Sequence, residues 1–163
     1  MTTTITGATG IDNIQAATGS VLQVVTATST ATFSTTSTSF VDVTGFTATL
    51  TPTSASSKIL VFVSFRYGVG SAQGTSSRLL RNATVISLGA YANLGNPWTG
   101  NGSVAQGSSD SSFSYLDSPA TTSALTYKLQ VTTDGGTMNV NNRNGASSPS
   151  IHIGSITVME IAG

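Results

Sequence analysis

Catalysis by this chain would have to run through one histidine. His152 stands between Ile151 and Ile153, so a serine triad could use only that imidazole. None of the 25 Ser lies in a Gly-x-Ser-x-Gly elbow. A glycosidase needs two opposed carboxylates, yet Asp42, Asp110, Asp117, Asp134 and Glu160 occur singly, beside turns and within strand patterns. Asp134-Gly135-Gly136 lacks the further oxygen ligands of a calcium loop and reads as a turn. The Gly68-Val69-Gly70 and Gly100-Asn101-Gly102 pairs do not extend into a phosphate cradle. With no cysteine, thiolate zinc sites and thiol nucleophiles are excluded. The expectation is no catalytic residue, no metal and no cofactor, with His152 structural.

Two charges in apolar surroundings remain. Glu160 lies within Ile156-Thr-Val-Met-Glu-Ile161, and Arg66 ends the apolar run that begins at Ile59. A buried charge needs a partner, which predicts either strand ends in water or an Arg66–Glu160 pair across strands or subunits.

The surface that would carry such groups is unusual. Six basic and six acidic residues cancel, and only 7% of the 163 residues are charged. Polarity comes from 28 Thr and 25 Ser. A nucleic-acid binder or membrane-surface binder needs a basic footprint, so neither partner is expected. The longest apolar run, Ile59 to Val63, falls far short of a membrane span of about 18 residues. No membrane insertion is expected. The uncharged start, Met1-Thr-Thr-Thr-Ile-Thr-Gly, lacks the basic and apolar regions of a secretory signal.

Period-two alternation defines the elements. Ile59, Val61, Val63, Phe65 and Tyr67 share one strand face, with Leu60 and Phe62 on the other. Leu125, Tyr127, Leu129 and Val131 alternate with polar residues. Further candidate strands are 21–25, 39–43, 47–51, 78–81, 84–88, 112–116, 137–140 and 155–161. Arg81-Asn82-Ala83 and, more strongly, Asp134-Gly135-Gly136 predict hairpin turns. Branched Thr and Val disfavour helix. The fold class expected is all-β: an antiparallel sandwich, jelly-roll-like, of eight to ten short strands over 20–163. Residues 1–19 form a Gly- and Thr-rich leader, an arm in which Ile5, Ile11 and Ile14 flank Asp12-Asn13. The loop 89–110 holds five Gly and the single Trp, and its Tyr91, Asn96, Trp98 and Asn101 are candidate ligand contacts.

Several blocks, Thr18-Gly-Ser-Val-Leu-Gln-Val-Val25, Ser37-Thr-Ser-Phe-Val-Asp-Val-Thr-Gly45, Leu50-Thr-Pro-Thr-Ser-Ala-Ser-Ser-Lys-Ile-Leu-Val61, Tyr115-Leu-Asp-Ser-Pro119 with Tyr127-Lys-Leu129, and Ser155-Ile-Thr-Val-Met-Glu-Ile-Ala162, resemble a module of tailed-bacteriophage virion proteins. The leader Thr6-Gly-Ala-Thr-Gly-Ile-Asp-Asn-Ile14 is similar to the start of phage tail and fibre proteins. The resemblance implies a non-enzymatic structural protein made in the host bacterial cytoplasm and carried on the virion. It further implies a homotrimer decorating the capsid exterior as a cement or knob protein, its arm (Ile5, Ile11, Asp12, Asn13, Ile14) bound to the major capsid protein. Leu60, Phe62, Arg66 and Glu160 would form the trimer interface. The alternative is a short tail fibre or fibre tip on a tail adaptor, recognising a host-surface glycan.

Overall fold

A computed structural model describes residues 16–69, 74–86, 107–142 and 152–163. The arm residues Ile5, Ile11, Asp12, Asn13 and Ile14, and the loop residues Tyr91, Asn96, Trp98 and Asn101, lie outside the described residues.

Ten strands run in chain order: β1 (Val21–Ser29), β2 (Phe33–Thr35), β3 (Val41–Leu50), β4 (Lys58–Val69), β5 (Thr75–Arg81), β6 (Thr84–Val85), β7 (Gly107–Asp117), β8 (Leu125–Thr133), β9 (Met138–Val140) and β10 (Gly154–Ile161). No helix occurs among the described residues. All pairings are antiparallel and make two sheets. In the first, β4 lies between β7 on one edge and, on the other, β10 and β9 set end to end. Strands β1 and β2 flank β10 and β9 in the same end-to-end manner. The second sheet has the order β3-β8-β5-β6.

Counting β1/β2 and β9/β10 as one interrupted strand each leaves eight. The first then pairs with the eighth, the second with the seventh, the third with the sixth and the fourth with the fifth. That is one long antiparallel hairpin rolled into two sheets, a jelly-roll order. Its tip is the turn Asn82-Ala83, where Asn82 takes a φ of 53°. Asn is tolerated there because its short side chain can bond locally, and Asn82 Oδ1 accepts from the Thr126 amide at 2.9 Å.

The core follows the alternation read from sequence. Ile59, Val61, Val63, Phe65, Leu125, Tyr127, Leu129 and Val131 are all buried between the sheets. They join Phe46, Leu79, Ile156 and Val158, with Phe46 edge-on to Phe65 at 6.1 Å between ring centres. The Arg81–Thr84 hairpin forms as expected.

Three expectations need correction. Asp134-Gly135-Gly136 does not close a hairpin: both edges of β8 are already paired, by β3 and β5, so the chain crosses to the other sheet, where β9 pairs with β2 and β4. The segments 39–43 and 47–51 are one strand, β3, with a register shift between Asp42 and Thr47. Gly45 makes that bulge at φ 86°, and a Cβ there would meet Ser29 Oγ at 2.6 Å. Finally, β2 arises from Phe33–Thr35, three residues within a Thr and Ser tract too short to show alternation.

Candidate functional site

Strand β4 is the spine of the first sheet, and it presents two different faces. Ile59, Val61, Val63, Phe65 and Tyr67 point inward, so Leu60, Phe62, Ser64 and Arg66 point outward. Register sets their neighbours. Val24 on β1, Met159 on β10, Leu60 and Leu116 on β7 stand in one line across four strands. Val24 and Leu116 are each 53% exposed, which makes this an apolar band open to solvent. Leu22, 36% exposed, extends it toward the end of the sandwich where β1 begins.

The next lines are polar. Thr26, Thr157, Phe62 and Ser114 form one, with the Thr26 and Thr157 hydroxyls bonded at 3.0 Å. Thr28, Ser155, Ser64 and Ser112 form the next. Beyond them Arg66 donates to Ser108 Oγ from Nε and Nη2 at 3.3 and 3.0 Å, and its Nη1 lies 3.8 Å from Asp110 Oδ1. Leu60, Phe62 and Arg66 therefore share one outer face, as expected from the two-sided pattern. Val24, Leu116 and Met159 were not among the expected interface residues. Their signal was present, as apolar residues at the solvent parity of their strands.

Glu160 requires a correction. The inward parity of β10 runs through Gly154, Ile156, Val158 and Glu160, and Glu160 is wholly buried. It therefore neither pairs with Arg66 nor offers surface to another subunit. Its carboxylate is satisfied within the chain by neutral donors. Oε1 accepts from the Thr53 amide, Thr53 Oγ1 and Ser57 Oγ, each at 2.7 Å, and Oε2 accepts from Gln23 Nε2 at 2.6 Å. Burial pushes this carboxyl upward, but the bonds from Ser57, Gln23 and Thr53 outweigh it and hold the group at about 2.

A second buried acid sits at the same end of the molecule. Asp117, ending β7, accepts from Arg81 Nη1 at 2.8 and 2.9 Å and from Tyr127 Oη at 2.7 Å. Arg81 and Tyr127 belong to the opposite sheet, so this cluster ties the two sheets together. Burial, then the Asp117 carboxylate, pushes the Tyr127 phenol far up. Both acids thus do structural work, joining segments that are distant in sequence.

His152 is half-buried just ahead of β10, its amide donating to Asn141 O at 3.3 Å. Among the described residues, no three His, Asp or Glu side chains converge as metal ligands. No protein-family model and no curated protein matches the chain.

Proposed function

We propose that the chain is a structural protein of a tailed-phage virion, a homotrimeric knob that decorates the capsid exterior. The observation that carries this is the open apolar band Val24–Met159–Leu60–Leu116 on a sandwich rich in Ser and Thr and poor in charge. Such a band gains by being covered, and closed symmetry covers it without open-ended growth. The resemblance of the sequence blocks to virion modules supplies the setting. The neutral Ser and Thr surface suits an extracellular particle, which must stay hydrated without binding charged surfaces indiscriminately.

The ends of the sandwich support a polarity. Val21, Lys58, Asp117 and Ile161 lie at one end, and Val69, Gly107 and Met138 at the other. The described chain begins beside Val21, at the end that would face the capsid, and in this reading the preceding arm with Ile5, Ile11 and Ile14 makes the attachment. Strand β7 begins at Gly107, on the end that would face outward. The test is the copy number of this chain in purified virions together with its position in images of the particle. Capsid stoichiometry is expected; tail stoichiometry would place it as a short fibre instead, and absence from the particle would overturn the proposal.

A further inference from the structure

Arg78 sits on the outer face of the second sheet, in one line of register with Gln130 on β8 and Asp42 on β3. Side-chain bonds along this line fix how each group points. Lys128 Nζ donates to Asp42 Oδ2 at 2.7 Å, and Gln130 Nε2 donates to Asp42 Oδ1 at 2.6 Å. These bonds, that of Lys128 first, hold the Asp42 carboxyl below the ordinary carboxylate range. With its amide nitrogen committed to Asp42, Gln130 turns Oε1 toward β5, where it accepts from Arg78 Nε at 2.8 Å. Phe40, just ahead of β3, lies under the guanidinium, with Arg78 Cζ 4.0 Å from the ring centre.

The guanidinium is thereby fixed before any ligand arrives, its plane by stacking on Phe40 and its Nε edge by Gln130. Its two terminal nitrogens are left over. Among the described residues no acceptor is bonded to Nη1 or Nη2. The other two described arginines each face an acid, Arg66 at Asp110 and Arg81 at Asp117. The acid in the Arg78 line, Asp42, is engaged by Lys128 instead. One residue line further along the face, Thr38, Ser76 and Thr132 line a shallow depression of about 490 Å³. Asp134 lies beyond them on its wall, accepting from the Gly74 amide through Oδ1 at 2.7 Å.

We propose that Arg78 is a preset site for a single carboxylate, the neutral remainder of the ligand lying over the adjoining depression. A carboxylate meets Nη1 and Nη2 with two parallel bonds, and a guanidinium already held in plane loses little freedom in making them. Charge limits the ligand further. Only Arg78 has a cation to offer, while Asp42 behind it and Asp134 beyond the depression repel a second negative charge. Thr38, Ser76 and Thr132 offer hydroxyls to a polar, uncharged remainder. The carboxylate can come from a free small molecule or from an acidic side chain of a partner protein, and the chemistry at Arg78 is the same. This inference does not depend on the virion setting.

Titration of the full chain tests it, followed by NMR at Arg78 Nε–H and the Phe40 ring protons, with ionic strength held constant so that general screening cancels. Acetate stands for a free carboxylate, and acetyl-glutamate methylamide for an acidic side chain as a protein presents it. Sulfate is the doubly charged control. Both carboxylates are expected to give saturable shifts, with half-points of roughly tens of millimolar for one exposed ion pair, and sulfate weaker ones. Tighter binding of the blocked glutamate assigns the site to a protein partner, and equal binding assigns it to free carboxylates. Arg78→Lys, read at Phe40, keeps the charge but loses the fork and should weaken binding about fivefold or more. Phe40→Leu, read at Arg78, frees the guanidinium plane and should weaken it severalfold; if that variant disturbs the fold, Arg78→Lys decides alone. No saturable shift with either carboxylate, equal binding of sulfate, or an Arg78→Lys variant that binds as the wild type does would overturn the proposal. Light scattering on the same samples separates this site from assembly. If Arg78→Lys changes the oligomeric state, a neighbouring subunit already holds the fork, and the free site is rejected while the assembly stands. If the wild type is a monomer that still binds acetate, the site stands and the trimer falls.

Discussion

Gln23 Nε2 donates to Glu160 Oε2 at 2.6 Å across the β1–β10 pair, and this bond completes a buried carboxylate held without any cation. The other oxygen gathers Thr53 and Ser57, so one side chain joins the edge strand, the 51–57 connection and β10. Replacing it by Gln puts an amide donor where only acceptors are wanted. Glu160→Gln is expected to lose roughly 2 to 4 kcal/mol in chemical denaturation.

The same carboxylate sets an acid dependence. Its folded value of about 2 is below the ordinary 4.5, so its stabilisation is present above the unfolded value and fades as pH falls from about 4.5 to 2. The shift corresponds to about 3 kcal/mol. Wild type and Glu160→Gln should therefore converge in stability as pH is lowered through that window. A constant gap down to pH 2 would contradict the buried, ionised state.

Between the sheets, removing the Tyr127 hydroxyl leaves Asp117 buried with Arg81 alone. Tyr127→Phe should cost about 1 to 3 kcal/mol. The phenol is also expected to stay protonated through alkaline titration until the chain unfolds, as followed by tyrosinate absorbance. Early titration of Tyr127 would mean that the cluster is open.

At the β3 bulge, Gly45→Ala meets two obstacles, a φ of 86° and Ser29 Oγ at 2.6 Å from the new Cβ. A loss of about 1 to 3 kcal/mol is expected from backbone strain and crowding. Adding Ser29→Gly should recover part of it, because only the crowding is relieved.

The strands of the core were legible because burial between two sheets writes a period of two, and Ile59 to Phe65 and Leu125 to Val131 carry it without interruption. Local chemistry also exposed the Asn82 turn. What the pattern could not carry was partnership. Asp134-Gly135-Gly136 encodes a reversal, not which sheet receives the next strand. Asn141, which follows β9, is tied to the end of β1 by its Nδ2, which bonds Ser29 O and Ala31 O from more than a hundred residues away in sequence. Glu160 is the instructive case: its parity with Ile156 and Val158 pointed inward, but Gln23, Thr53 and Ser57 announce nothing locally. For the candidate face, Leu60 and Phe62 were readable from one strand. Their separation into an apolar line and a hydroxyl line appears only when β1, β10, β4 and β7 are set in register.

The central claim, that the line through Leu60 is a subunit contact, is tested most directly by light scattering of the wild type and Leu60→Asp at micromolar concentration. The account predicts a trimer for the wild type and a folded monomer for Leu60→Asp, with an unchanged β-sheet spectrum. A wild-type monomer, or a Leu60→Asp variant that remains trimeric, would contradict it.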